Sequence, residues 1–241
     1  MNDVGKYGPL FDLFFDNGYN RKLAKTRLTK KTLRNIAHDK LDKLTEYIDE
    51  SKDGYCVLKD VCEKLESDRP YIDYAYFGMD FPLGRKGRGI TQDCLLFAEL
   101  VVAALENIGR NDIVKNISVK WDYEHIWLEY KSAKGKISMD RFFHNSDIDY
   151  GVEALATAGQ LNMAIHLYEK GHLEDSLRAC EKGLKFTNTA NIWSMKGTVL
   201  KAMGKNEDAL SCYERSLELD KMYAPAKSGR GNLLKKCLSN P

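Results

Sequence analysis

The sequence has no run of about 18 apolar residues, the length that a helix needs to cross the hydrocarbon core of a bilayer. Its first residues also lack the basic and then apolar layout of a secretory signal peptide. With 37 basic and 35 acidic residues, the chain carries a formal net charge of only +2. We therefore expect a cytoplasmic protein with no membrane partner.

The chain also lacks the cysteine patterns of metal sites and disulfide frameworks. Its six cysteines are scattered, none forms a Cys-x-x-Cys pair, and no histidine lies at zinc-site spacing beside them. Scattered thiols are typical of a reducing compartment. The sequence thus predicts no metal and no cofactor.

Signatures of phosphate and nucleic-acid binding are weak. Gly84, Gly87 and Gly89 are not followed by the Lys-Ser/Thr pair of a phosphate-binding loop. Residues 21–34 hold seven basic residues and no acid, a pattern that also suits contact with nucleic acid. Five acids follow within residues 39–50, so we interpret the stretch as a solvated helix face and do not expect nucleic acid as a partner.

What the chain does contain is a cysteine in an unusual setting. Cys94 opens an apolar segment, residues 94–108, and a helix that is apolar nearly all round is buried on most sides. Thr91 or Asp93 is the predicted N-cap, and Gly109 is predicted to follow the C-terminus. In the first turn of such a helix, unpaired N–H groups and the helix dipole lower the pKa of a thiol.

A predicted β-hairpin follows this helix. Residues 117–123 alternate between apolar and polar side chains, and residues 125–130 continue in an extended pattern. Residues 132–135 predict a turn, with Gly135 able to take positive φ. Residues 136–140 then return as a short strand.

The predicted register of this hairpin brings a histidine and an aspartate together. With that turn, Lys131 pairs with Lys136, and Trp127 lies opposite Asp140. His125 is then diagonal to Asp140 on the same face of the sheet. Diagonal neighbours lie about 7–8 Å apart by Cα, within reach of an imidazole and a carboxylate.

Cys94, His125 and Asp140 are therefore the predicted catalytic residues. In such a triad the cysteine attacks, the histidine moves the proton, and the aspartate fixes the imidazole tautomer. Each residue also has an ordinary interpretation, because buried cysteines usually pack as small apolar side chains and strand histidines usually serve packing. The three together, in this order, favour an active site or one recently lost.

At these residues the chain resembles the core of the transglutaminase-like superfamily. The likeness covers residues 81–142 and rests on Cys94, on the strand His125-Ile-Trp-Leu-Glu and on Ile137-Ser-Met-Asp140. It implies papain-like chemistry on a peptide or side-chain amide, hence a protein or peptide substrate. The backbone N–H of Cys94 would be one oxyanion donor. For the second donor, Gln92 and the tyrosines Tyr71, Tyr74 and Tyr76 remain open.

The expected fold of residues 1–150 is an α+β papain/transglutaminase-like domain with a helical N-terminal part. Helices are predicted over Thr29 to Ser51 and over Tyr55 to Leu65, before the helix of Cys94. Helices before the nucleophile and strands after it suit this class.

Residues 151–241 show an internal period of about 34 residues. Residues 190–223 resemble a tetratricopeptide (TPR) repeat, and residues 157–189 have matching residues at the same places. From Ala224 a third unit begins and stops after one helix, which predicts a cap. We therefore expect an all-α domain of helical hairpins. The signature positions in the second repeat are Trp193, Gly197, Leu200, Gly204, Ala209, Tyr213 and Asp220.

The first helices of these repeats predict a partner surface. Its members are Ser194, Thr198, Lys201, Asn232 and Lys235, of which the last two lie one repeat after Thr198 and Lys201. Lysines and an amide there favour an acidic or C-terminal peptide. The alternative is a solvated lysine face without a partner.

Two functions of different classes remain at this point. The first is a cytoplasmic papain-like thiol enzyme, a hydrolase or acyltransferase, whose repeats recruit a protein. The second is a scaffold that keeps the transglutaminase-like fold without turnover and acts through protein–protein interaction.

Overall fold

The computed structural model describes residue 10 and residues 12–14, 29–67, 92–122, 125–139 and 148–239. The chain divides into two compact units, Met1–Leu155 and Ala156–Pro241. The first unit combines helices with one small antiparallel sheet, and the second is helical throughout its described residues. The sequence pattern placed this division five residues earlier, between residues 150 and 151.

The helices of the first unit are α1 (Lys30–Thr45), α2 (Gly54–Ser67), α3 (Gln92–Asn107) and the single turn α4 (Asn111–Val114). Helix α3 packs against α1, α2 and α4. The core between these helices is aliphatic and includes Leu41, Val57, Leu58, Val61, Val101, Val102 and Leu105. Across the described ranges, no helix is both long and apolar enough to cross a membrane.

Helix α1 is shorter than its pattern predicts. Thr29 caps it by accepting a hydrogen bond from the N–H of Thr32, as the predicted start requires. It ends at Thr45 instead of Ser51, because Thr45 Oγ1 bonds back to the carbonyl of Leu41 and accepts a bond from Asn107 Nδ2.

The sheet has four strands in the order β3-β2-β1-β4. These strands are β1 (Ile117–Trp121), β2 (Ile126–Ser132), β3 (Gly135–Ser138) and β4 (Asp149–Tyr150). Lys131 pairs with Lys136 and Ser132 with Gly135, which confirms the predicted turn and register. Gly135 has a φ of 129°, so the turn uses the conformational freedom that glycine provides.

The second unit is built from helices α5 (Ala154–Glu169), α6 (Leu173–Gly183), α7 (Ala190–Ala202), α8 (Asn206–Leu219) and α9 (Ala224–Ser239). Helix α5 begins two residues before the boundary. The elements confirm two helical hairpins, α5–α6 and α7–α8, followed by a single helix. Gly171 and Gly204 end the first helix of each hairpin with φ values of 77° and 80°.

Candidate functional site

Cys94 is the third residue of α3, and its side chain is half-buried. The thiol thus lies in the first turn, as predicted, where backbone N–H groups have no intrahelical acceptor. Further along, every residue from Leu100 to Leu105 is buried. The helix begins at Gln92, so Asp93 lies within it and is not its cap, while Thr91 lies outside the described residues.

The C-terminal end of α3 is fixed by Gly109, which has a φ of 76°. The N–H of Gly109 donates to the carbonyl of Glu106 (2.9 Å), and the N–H of Arg110 donates to that of Leu105 (2.8 Å). These two bonds form a Schellman motif, so the predicted helix end is confirmed. The chain then passes through α4 into β1, which places the end of α3 near the start of β1.

Contacts around the β2–β3 turn mark this same end of the unit. A Cβ on Gly54, the first residue of α2, would lie 2.5 Å from Tyr130 Oη and 3.2 Å from Ile113 Cγ1. In the turn itself, Lys134 Nζ lies 2.9 Å from Asp53 Oδ2. Helix α4, the start of α2 and the far end of β2 therefore meet here.

The lengths of α3 and β2 indicate that Cys94 and His125 lie towards the opposite end. Helix α3 has 16 residues and spans about 24 Å, while β2 has seven and spans about 23 Å. Helix α3 packs on β2, and its C-terminal end leads through α4 to the start of β1. We infer from the similar lengths that the first turn of α3 lies towards the end where β1 turns into β2. His125 directly precedes β2 at that end.

The position of His125 is set by a tight turn and by an indole ring. Its N–H donates to Asp122 Oδ1 (2.8 Å), and its carbonyl accepts from the N–H of Asp122 (3.0 Å). The imidazole stacks on Trp127 with ring centroids 5.6 Å apart and planes 16° apart. Only 5% of His125 is exposed, so neighbouring atoms restrict the rotation of its imidazole ring.

The predicted third member, Asp140, lies outside the described residues. The register continues up to it, because the N–H of Met139 donates to the carbonyl of Leu128 at 2.9 Å. The predicted pairing of Asp140 with Trp127 lies one residue beyond this last described bond. The hairpin register that the sequence predicts is confirmed up to Met139, and the role of Asp140 stays a prediction.

The face of the sheet that carries Trp127 also carries two ion pairs. Lys120, directly opposite Trp127, lies 2.9 Å from Asp149 Oδ1, and its ammonium holds the pKa of Asp149 below its ordinary value. Glu129 Oε1 accepts from Lys136 Nζ at 2.6 Å. Lys120 and Glu129 are both buried, and each has a more exposed partner.

Strand alternation separates His125 from the helical layer. His125 and Trp127 project to one face, whereas Tyr130 projects to the other and meets the start of α2. Since α3 packs directly on α2, it lies on the Tyr130 side. A contact between Cys94 and His125 therefore has to form beyond the end of the strands, at the β1–β2 turn.

The candidate side chains for the second oxyanion donor are not among those that the structure describes. The side chain of Gln92 and the tyrosines Tyr71, Tyr74 and Tyr76 lie outside the described residues. The backbone position of Cys94 in the first turn of α3 supplies an N–H with no intrahelical acceptor, as the sequence predicts.

Glu99 is a buried carboxyl group that the functional interpretation of the sequence missed. It is 8% exposed on α3, and burial raises its pKa well above the ordinary value. The signal was present, because Glu99 is the first acid within an otherwise apolar run. Its place on the helix, five residues after Cys94, puts it on a different face from the thiol.

The other described thiols are less suited to nucleophilic chemistry. Burial raises the pKa of Cys180 to about 12 and also raises that of Cys212. On α2, a hydrogen bond to the Asp53 carboxylate raises the pKa of Cys56. The described cysteines, with Cys62 among them, form no disulfide with one another.

The predicted partner residues of the second unit differ in exposure. Ser194 is buried, and the hydroxyl of Thr198 is engaged with the carbonyl of Ser194 and with Tyr213 Oη. Lys201, Asn232 and Lys235 are exposed. The exposed part of this surface therefore consists of its two lysines and its amide.

No protein-family model, curated protein or solved structure matches the chain. Within the described part of the chain, no group of three or more His, Cys, Asp or Glu side chains is arranged to hold a metal ion.

Proposed function

We propose that the first unit is a papain-like thiol enzyme of the transglutaminase-like class, acting on a peptide or side-chain amide. The observation that supports this proposal is the packing of α3, which has Cys94 in its first turn, on β2, which His125 directly precedes. A nucleophile at a helix N-terminus beside a histidine on a neighbouring strand is the arrangement that thiol catalysis needs.

In this mechanism Cys94 gives its proton to His125 and attacks the amide carbon. A C–S bond forms, the carbonyl oxygen becomes an oxyanion, and the N–H of Cys94 donates to it. The C–N bond then breaks, and the amine leaves with the proton from His125. Water or a second amine cleaves the thioester, which gives hydrolysis or acyl transfer respectively.

Asp140 orients His125 in this proposal. An aspartate next to a catalytic imidazole fixes its tautomer and stabilises the imidazolium form. The hairpin register supports this role, since its described part ends one residue before the predicted pairing of Asp140 with Trp127, whose ring stacks on His125.

The second unit recruits a protein partner or substrate in the same proposal. Its helical hairpins and the exposed cations Lys201 and Lys235 support an acidic or C-terminal peptide as the partner. A reducing cytoplasm suits the enzyme, because the attacking group is a thiolate.

One observation favours the alternative, a scaffold without turnover. The imidazole of His125 is nearly enclosed and stacked on Trp127, on the face opposite the one on which α3 packs. If the side chain of Cys94 does not extend past the end of β2, such a histidine only packs against its neighbours. The two functions therefore differ in whether the imidazole of His125 changes the reactivity of the Cys94 thiol.

The test is chemical and needs no known substrate. The native protein is treated briefly with iodoacetamide near neutral pH, and labelled peptides are identified by mass spectrometry. Cys94 should react fastest among the described cysteines, and His125→Ala should slow Cys94 selectively. In a separate sample that has not been alkylated, p-nitrophenyl acetate should add one acetyl group to the thiol of Cys94. His125→Ala should slow the hydrolysis of this acetyl thioester.

Cys56 and Cys62, both half-buried on α2, are internal controls for accessibility. If they label before Cys94, or if His125→Ala leaves the Cys94 rate unchanged, the enzyme proposal fails. A rapidly labelled Cys94 that is insensitive to His125 favours the scaffold, because the thiol is then activated by the helix terminus alone.

A further inference from the structure

Helix α9 is equivalent to α7, one repeat of 34 residues later. In the second repeat, α7 is covered by α8, and the two form a helical hairpin. The third unit has no second helix among the described residues. One surface of α9 therefore corresponds to the side of α7 that faces α8, and each residue on it has an equivalent on α7.

Two glycines give the clearest contrast. A Cβ on Gly197 would lie 3.0 Å from the ring of Tyr213 and 3.1 Å from the carbonyl oxygen of Ala209, both on α8. At Gly231, one repeat later, no described heavy atom lies within 4 Å of the same position. The small residue that admits the second helix is thus present on α9, while no residue that the structure describes occupies the space beside it.

The flanking apolar positions show the same difference. Leu200 is 5% exposed and Ala190 is 3% exposed beneath α8. Their equivalents are exposed, with Leu234 at 40% and Ala224 also in the exposed class. Together Ala224, Gly231 and Leu234 form what we call the outer face of α9. The opposite face, which packs on Tyr213, includes Ala226, Gly229 and Leu233.

Charge indicates the kind of helix that would cover the outer face. The sequence of α9 contains four basic residues and no acid, whereas α8 contains four acids and one arginine. A second copy of α9 would bring like charges together, which disfavours self-pairing. An acidic helix would meet α9 with complementary charge.

We propose that the outer face of α9 binds an acidic amphipathic helix of a partner protein, which completes the third repeat. The partner helix places an aromatic ring over Gly231, as Tyr213 lies over Gly197, and a small residue where Ala209 lies. This helix-in-groove docking uses the apolar strip for affinity and the cations for orientation. It does not depend on the chemistry of Cys94.

The probe is a labelled peptide with the sequence of α8, residues 206–219, carrying Cys212→Ser. Fluorescence anisotropy with the full-length protein should show saturable binding that weakens as NaCl is added. Gly231→Leu fills the open space and should weaken binding at least about tenfold. Ser211→Leu, an exposed position on α8, is the matched control and should bind as the wild type does.

Two peptide variants separate shape from charge. Replacing the tyrosine of the peptide by alanine should weaken binding as Gly231→Leu does. Replacing its four acids by lysines should abolish binding. Equal binding of all peptides, or equal binding by Gly231→Leu, overturns the proposal.

Short peptides are marginal helices in water, so a tethered version provides a second measurement. A copy of residues 204–219 is joined after Cys237, which is equivalent to Met203 before the α7–α8 turn. This extension should raise Tm more than the same extension carrying Tyr213→Ala. If neither peptide nor extension has an effect, or if the chain self-associates in a manner abolished by Gly231→Leu, the acidic partner helix is wrong.

Discussion

Ser216 donates its buried hydroxyl to the carbonyl of Ala190 at 2.7 Å and so joins the end of α8 to the start of α7. In the preceding repeat, residues 157–189, Gly183 is equivalent to Ser216 and Thr157 is equivalent to Ala190. There the hydroxyl group that donates lies on the first helix of the hairpin instead of the second. Thr157 Oγ1, on α5, donates to the carbonyl of Gly183 on α6 at 3.0 Å. Both hairpins therefore carry the same hydrogen-bonded link, with the hydroxyl on the first helix in one and on the second helix in the other.

This link predicts the effect of Ser216→Ala. Because Ser216 is fully buried, its loss leaves the carbonyl of Ala190 without this partner and should cost about 1–3 kcal/mol of unfolding free energy. Urea denaturation followed by circular dichroism measures the change. Ser211→Ala is the control, since its exposed hydroxyl bonds only within α8 and should cost less than about 0.5 kcal/mol.

The exchanged arrangement offers a stricter check. Adding Ala190→Ser to Ser216→Ala moves the hydroxyl to the first helix, as in the earlier hairpin, and should recover part of the lost stability. Equal stability of the single and double variants would show that the hydroxyl link is not what Ser216 contributes.

Two glycines on α9 should respond oppositely to alanine. A Cβ on Gly229 would overlap with Cζ of Tyr213, so Gly229→Ala forces the ring or helix to shift and should cost about 1–3 kcal/mol. Gly231→Ala meets no described atom and should stabilise the helix by about 0.5–1 kcal/mol. Thermal unfolding of both variants measures this, and a fall in Tm for Gly231→Ala would contradict the open face.

Glu99 should make the stability of the first unit depend on pH. Its folded-state pKa is raised above 4.5, so the folded protein holds the proton more tightly than the unfolded chain. Stability from this group is present below pH 4.5 and is lost as pH rises towards the folded-state pKa, at up to about 1.4 kcal/mol per pH unit.

Glu99→Gln removes this titration. The free energy of unfolding of the variant, relative to that of the wild type, should therefore increase as pH rises above 4.5. Urea midpoints measured across the pH range give the difference curve. Glu63→Gln changes an exposed carboxyl on α2 and is the control. A constant difference between Glu99→Gln and the wild type would mean that Glu99 is not held protonated by burial.

The start of α2 predicts a change in thiol reactivity. Asp53 Oδ1 accepts from the N–H groups of Tyr55 (3.1 Å) and Cys56 (3.3 Å), and a hydrogen bond between the thiol of Cys56 and this carboxylate, together with its charge, raises the pKa of Cys56. Asp53→Asn keeps an amide cap but removes the charge, so the pKa of Cys56 should fall and its alkylation near pH 8 should accelerate.

Peptide mapping of alkylation rates measures this effect, with Cys62 on the same helix as the reference. Asp112→Asn, which removes an exposed carboxylate paired with Arg110, should leave Cys56 unchanged. A slower Cys56 in Asp53→Asn would contradict the assignment. The same experiment calibrates the reactivity expected of Cys94.

The sequence by itself determined most of the local structure. Apolar periodicity predicted α3 and β2, Gly109 predicted the end of α3, and the four-residue turn fixed the pairing of Lys131 with Lys136. The repeat period likewise predicted α7, α8 and the single helix α9. These features depend on neighbours within a few residues or on a fixed repeat length, so pattern alone specifies them.

Only the tertiary structure decided which surfaces meet. The early end of α1 depends on Asn107, 62 residues after Thr45. The raised pKa of Glu99 comes from burial by packed helices, and the place of His125 relative to α3 follows from which sheet face the helices cover. The outer face of α9 differs from its equivalent on α7 because α8 covers α7, whereas no described helix covers α9 in the same way. Such properties arise from contacts between distant segments, which local patterns do not encode.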